Sequence, residues 1–76
     1  MNKRRREEIS EVVGTLQDCK SKLENIKDEE DTSRENMPEN MEGSQRYEDS
    51  ETASERIDDA IADLESAIDN LGEATS

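Results

Sequence analysis

The sequence predicts an all-α fold, a two-helix antiparallel hairpin that dimerises into a four-helix bundle. Two heptad-spaced apolar stripes, one in each half of the chain, predict the helices. A proline and a glycine between the stripes predict the connection. Only 28% of the 76 residues are apolar and the single cysteine excludes an internal disulfide, so one hairpin has little core of its own. We therefore expect self-association to supply the missing burial.

Helix one is predicted over residues 3 to about 33, because its apolar residues return at alternating intervals of three and four. The a positions of its heptads are Ile9, Leu16 and Leu23. The d positions are Val12, Cys19 and Ile26. The thiol at a d position is expected to pack as a small hydrophobe in a reducing compartment.

The connection is predicted over about 36–44. Pro38 disfavours a helical conformation at Met37 and can itself open a single helical turn. Gly43 permits a backbone conformation that a helix interior does not use. Met37 and Met41 are expected to cover the end of the core.

Helix two is predicted from residue 45 to about 71, with Gly72 ending it and a short tail over 72–76. Its seam residues are Ile57, Ile61, Leu64, Ile68 and Leu71, and alanines at 60 and 67 widen the stripe. A stripe this wide needs two neighbouring helices. The sequence therefore favours a dimeric bundle over a monomeric hairpin that completes its core on a target. The expected oligomer seam comprises Ile9, Leu16, Leu23, Ile57, Ile61, Leu64, Ile68 and Leu71.

The formal charge of −12 is unevenly distributed along the chain. Residues 1–27 hold seven basic and five acidic side chains, whereas residues 28–76 hold three basic and seventeen acidic ones. Helix two carries a row of carboxylates spaced by four, and three more acids flank it. The row is Glu51, Glu55, Asp59 and Asp63, and the flanking acids are Asp58, Glu65 and Asp69. One interpretation is a solvated face that keeps a small oligomer soluble. The other is a mimic of a nucleic-acid backbone that occupies the basic site of a DNA-binding protein.

Several classes of function are not expected from this composition. Histidine is absent and no nucleophile has a base beside it, so neither an enzyme nor a cofactor is expected. The acidic run at residues 28–31 lacks the spacing and glycine of a calcium loop, so no metal site is expected. The only basic run covers residues 3–6, which argues against direct binding of nucleic acid. That run leads into Glu7 and Glu8 rather than an apolar segment, so we expect a cytoplasmic protein without a membrane contact.

The turn region offers an alternative site for a small anionic ligand such as a signalling nucleotide. Its candidate residues are Arg34, Asn36, Asn40, Arg46 and Tyr47. Arginines can clamp phosphate and a tyrosine can stack on a base, so a dimer could sequester the nucleotide. The interpretation that we favour is that the tyrosine simply packs and the arginines neutralise neighbouring acids. A third alternative is a structural helical assembly module in which only the seam matters.

Four segments of the chain resemble small acidic α-helical proteins encoded by phages and prophages of Gram-positive bacteria. They are the charged start at residues 5–9, the turn at 36–41, the following 44–48 and the ending at 60–71. The resemblance implies an inhibitor of host machinery, of the anti-CRISPR or another anti-defence type, that acts in the bacterial cytoplasm. It implies a host protein such as a CRISPR effector as the partner, and it supplies no catalytic residues.

Overall fold

The computed structural model describes all 76 residues and contains two long helices and no strand. Helix α1 spans Lys3–Glu35 and helix α2 spans Gln45–Thr75. A 3-10 turn at Glu39–Met41 lies in the connection, directly after Pro38. The helices contact each other in an antiparallel hairpin 59 Å long and 14 × 13 Å across. The predicted all-α hairpin is thus confirmed.

Each long helix begins at a side chain that accepts a hydrogen bond from the first turn. The Asn2 side-chain oxygen accepts from the Arg5 backbone N–H at 2.8 Å, and the Ser44 hydroxyl accepts from the Tyr47 backbone N–H at 3.2 Å. These caps satisfy N–H groups that have no partner within the helix. Gly43 has a φ of +79°, which only glycine adopts without strain, and so reverses the chain into the second cap.

The end of helix two differs from the prediction. Helix α2 continues through Gly72 to Thr75, so the predicted termination at Gly72 and the tail over 72–76 are wrong. A glycine permits a left-handed helix end but does not impose one. Its cost inside a helix is only about 1 kcal/mol, which the backbone hydrogen bonds of the continued turn offset.

Helix α1 is rotated relative to the predicted stripe. Ile9, Leu16 and Leu23 are half-buried as expected, but Val12 and Ile26 are each 50% exposed and Cys19 is exposed. The expectation that the thiol packs in a core is therefore wrong for the hairpin. Helix α2 covers the a and e positions of α1 instead of a and d. The reason is that the e positions hold Val13 and then Lys20 and Lys27, whose ammonium groups pair with acids of α2.

Helix α2 uses its predicted seam, with Ile61 buried and the other four seam residues half-buried. Ile61 is the only buried apolar residue of the chain, and Ser50 and Ser54 are the only buried polar ones. The interface between the helices is consequently apolar toward the chain termini and polar toward the turn. The eight predicted seam residues lie in the interface within the hairpin, and their role between copies stays a prediction.

Candidate functional site

Ion pairs between the helices line one face of the hairpin, which we call the charged face. The Lys20 ammonium lies 3.2 Å from a Glu65 carboxylate oxygen, and the Lys27 ammonium lies 3.7 Å from an Asp58 oxygen. The hydrogen bond to Glu65 raises the pKa of Lys20. These contacts hold the two helices in register, since a shift by one turn would break both.

A polar cluster joins the helices near the turn. The Arg34 guanidinium donates to the Ser54 hydroxyl at 2.9 Å, to the Ser50 hydroxyl and backbone carbonyl at 3.2 Å each, and to the Asp31 carboxylate at 2.8 Å. Ser54 donates to Asp31 at 2.6 Å, and Ser50 donates to Glu30 at 3.1 Å. No buried side-chain polar atom lacks a partner. The cluster therefore replaces an apolar layer without leaving an unpaired group.

The cluster strongly favours the ionised form of Asp31. Lys27 donates to this carboxylate at 2.8 Å, and Ser54 and Arg34 donate to it as well. These three hydrogen bonds, that of Lys27 first, hold the pKa of Asp31 well below its ordinary value. The same contact with Asp31 raises the pKa of Arg34.

Sequence reasoning missed this cluster, although a signal was present. Ser50 and Ser54 lie seven residues before Ile57 and Ile61, at seam positions of helix two that would ordinarily carry larger apolar residues. Arg34 continues the e positions of Lys20 and Lys27 on helix one. Small hydroxyl residues opposite a cation at seam positions are the pattern that indicates an interhelical polar contact.

Arg34, one of the two arginines of the alternative ligand site at the turn, belongs to this cluster. The Arg34 side chain is 17% exposed and donates inward, away from an external ligand. Asn36, Asn40 and Arg46 are exposed, and Tyr47 is half-buried at the start of α2. No side-chain hydrogen bond joins these four residues to one another. The structure therefore places the five candidates at one end of the hairpin without assembling them into a pocket, and nucleotide binding stays a prediction.

The five candidate acidic residues are all exposed on α2. Asp58 belongs to the charged face through Lys27, whereas Glu51, Glu55, Asp59 and Asp63 form no ion pair. Each step of four residues rises about 6 Å and turns about 40° around a helix. The row therefore winds around α2 from the charged face, over the outer side, to the opposite face. We call these four carboxylates the acidic row.

The only depression on the surface is shallow and lies on α1. It is open to solvent, has a volume of about 490 Å³ and is lined by Asp28, Glu29, Thr32 and Ser33, none of them apolar. Small-molecule sites are mostly apolar and concave. This depression therefore does not resemble one, and the extended surfaces of the hairpin are its main candidates for recognition.

No protein family, curated protein or solved structure matches the chain. Neither helix is long and apolar enough to cross a membrane.

Proposed function

We propose that the protein is a non-catalytic inhibitor whose acidic surface occupies the basic nucleic-acid-binding site of another protein. One observation supports this above the others: the acidic row is exposed and unpaired, although other acids of the hairpin, such as Asp31, Asp58 and Glu65, have cationic partners. Intramolecular pairing thus leaves the four carboxylates of the row available to a partner.

The shape and charge of helix α2 fit such a role. It holds ten acidic and two basic side chains along 31 residues. The hairpin is 59 Å long, which matches the length of about 17 base pairs of duplex DNA. A basic groove that attracts phosphates by their charge attracts spaced carboxylates in the same way. Binding is then expected to weaken steeply as salt concentration rises, because both surfaces are exposed.

The resemblance to acidic phage proteins suggests which partner to test first. We propose a host defence protein with a basic nucleic-acid channel, such as a CRISPR effector, encountered in the bacterial cytoplasm. We also propose that the protein acts as a homodimer, in the four-helix bundle that the sequence predicts. Each dimer would then carry two acidic rows.

Neutralising the acidic row tests the proposal. The E51Q/E55Q/D59N variant removes three exposed unpaired charges, and the E11Q/D18N/D28N variant removes three from the outer side of α1. The measurement is displacement of labelled duplex DNA from a purified CRISPR effector, followed by fluorescence anisotropy at low and high salt. We expect the first variant to lose displacement and the second to keep most of it, both with wild-type helicity by circular dichroism. Equal displacement by both variants would show that the row itself is not recognised.

A further inference from the structure

The two broad faces of the hairpin are unlike each other. One is the charged face, where lysines of α1 meet acids of α2. The opposite face carries the exposed d positions of α1 and the alanines that flank the seam of α2. We call this second surface the apolar face; its residues are Val12, Cys19, Ile26, Ala53, Ala60, Ala67 and Ala74.

The ion pairs fix which of these residues lie side by side. Lys20 pairs with Glu65, and Lys27, seven residues later, pairs with Asp58, seven residues earlier. The same register places Ile26 level with Ala60. One and two heptads further along, Cys19 is level with Ala67 and Val12 is level with Ala74. Each of these three levels therefore has a larger side chain on α1 and an alanine on α2.

We propose that the apolar face is the contact between two copies of this chain, packed face to face with both turns at the same end. In this arrangement α1 of each copy lies over α2 of the other. The inference rests on the proposed homodimer and is independent of the identity of any further partner. It goes beyond the predicted bundle because it assigns the contact face and the relative direction of the copies.

Side-chain size supports this direction. With both turns at one end, Val12, Cys19 and Ile26 lie over Ala74, Ala67 and Ala60 of the second copy. Large residues facing small ones interdigitate and fill the space between helices. With the turns at opposite ends and Cys19 at the centre, Val12 would face Ile26 while alanine faced alanine. The side-chain layer between the copies would then be too thick where α1 packs on α1 and too thin where α2 packs on α2.

Charges at the edge of the apolar face support the same direction. Lys22 and Arg56 are exposed and form no ion pair within the hairpin. The register places Lys22 level with Asp63 and Glu29 level with Arg56, on opposite edges of one hairpin. In the proposed dimer Lys22 meets Asp63 of the second copy, and Glu29 meets Arg56 of the second copy. The opposite direction would instead bring Glu8 close to Glu29, two like charges.

The available area is sufficient for a weak dimer. The apolar face runs along α2 from Ala53 to Ala74, and about 21 residues of helix extend about 32 Å. At a width of 14 Å this gives about 450 Å² per copy and about 900 Å² in total, which is in the range of weak interfaces. With Ile61 as the only buried apolar residue of the hairpin, a second copy provides the burial that a small domain needs.

Cross-linking between mixed chains tests the direction of packing. Wild-type protein, which carries only Cys19, is mixed with the C19S/A67C variant and oxidised, and covalent dimers are separated by mass under non-reducing conditions. We expect covalent dimers in the mixture and almost none in either protein alone. Cross-linking of wild-type protein alone would overturn the proposed direction, and a monomer in sedimentation equilibrium would overturn the dimer. Neither result would bear on displacement of DNA, which is measured separately.

Reversing an edge charge tests the contact without touching the seam. The K22E variant places a glutamate against Asp63 of the second copy, and the K22E/D63K double variant restores opposite charges at the wild-type net charge. Sedimentation equilibrium should show dimerisation weakened about tenfold in the first and recovered in the second. The K3E variant, with the same change in net charge at a 91% exposed side chain, should dimerise more tightly than K22E. Equal weakening in K3E and K22E, or no recovery in the double variant, would contradict the proposed contact.

Discussion

At the scale of single residues, the cluster around Arg34 decides how the two helices meet near the turn. Ser50 and Ser54 are 7% and 5% exposed, and each accepts a hydrogen bond from Arg34 while donating one to a carboxylate. A hydroxyl that both donates and accepts loses little on leaving water. The directional hydrogen bonds of the cluster therefore fix the register of the two helices near the turn.

The ionisation of Asp31 gives this cluster a pH dependence. Its pKa lies well below the ordinary aspartate value of about 3.9. The carboxylate therefore stabilises the fold at any pH above that value, and its contribution is lost as pH falls toward the lower pKa. We expect Asp31→Asn to lower the melting temperature at neutral pH, with the gap to wild type closing in acid. Thermal unfolding by circular dichroism across pH measures this, with Asp18→Asn as the exposed, unpaired control. A gap that stays constant with pH would argue against the ionised cluster.

At the scale of the helices, two glycines in different conformations should respond oppositely to substitution. Gly72 lies inside α2 and Gly43 has a φ of +79°, and an added Cβ would meet nothing within 4 Å at either. We expect Gly72→Ala to stabilise the protein by about 0.5–1 kcal/mol, since alanine loses less backbone freedom in a helix. Gly43→Ala should destabilise it by about 1–2 kcal/mol through the left-handed conformation. Urea denaturation measures both. Destabilisation by Gly72→Ala would indicate that the helix ends there, as the sequence suggested.

The buried isoleucine of α2 carries the apolar half of the interface. Ile61 is 9% exposed, whereas Ile26 is 50% exposed. Removing a buried isoleucine to alanine ordinarily costs about 2–5 kcal/mol, which is comparable to the whole stability of a domain this small. We expect Ile61→Ala to abolish cooperative unfolding by circular dichroism. A cooperative transition at the wild-type temperature would show that the hairpin is held by its polar contacts alone.

The sequence predicts the helices well and their rotation poorly, for a physical reason. Heptad spacing identifies a stripe on each helix, and proline and glycine locate the turn. On α1, however, apolar residues occupy the d positions and one e position, so spacing alone does not say which side α2 covers. Lys20 and Lys27 decide it through contacts with residues 45 and 31 positions away, which no local pattern contains. The acidic row was predictable because spacing on one helix determines it, whereas the Arg34 cluster required both helices.

At the scale of the whole molecule, we expect dimerisation and binding to a basic partner to respond oppositely to salt. Dimerisation depends on apolar burial, whereas binding to the partner depends on charge. Two copies that each carry a net charge of −12 repel, and salt screens this repulsion over about 10 Å at 0.1 M. This general repulsion outweighs the attraction between the few opposite charges at the edge of the proposed dimer. Rising salt should therefore tighten dimerisation and raise the melting temperature. Binding of the acidic row to a basic partner should weaken over the same range.

One salt series measures both responses on the same protein. Sedimentation equilibrium gives the dimerisation constant, and DNA displacement from the basic partner gives the strength of inhibition. Because the two processes depend on surfaces that share only Asp63, we expect their salt dependences to have opposite signs. If dimerisation also weakened with salt, contacts between opposite charges would be holding the copies together and the apolar face would not be their main contact. If displacement were independent of salt, recognition would depend on apolar burial and the acidic row would serve to keep the protein soluble.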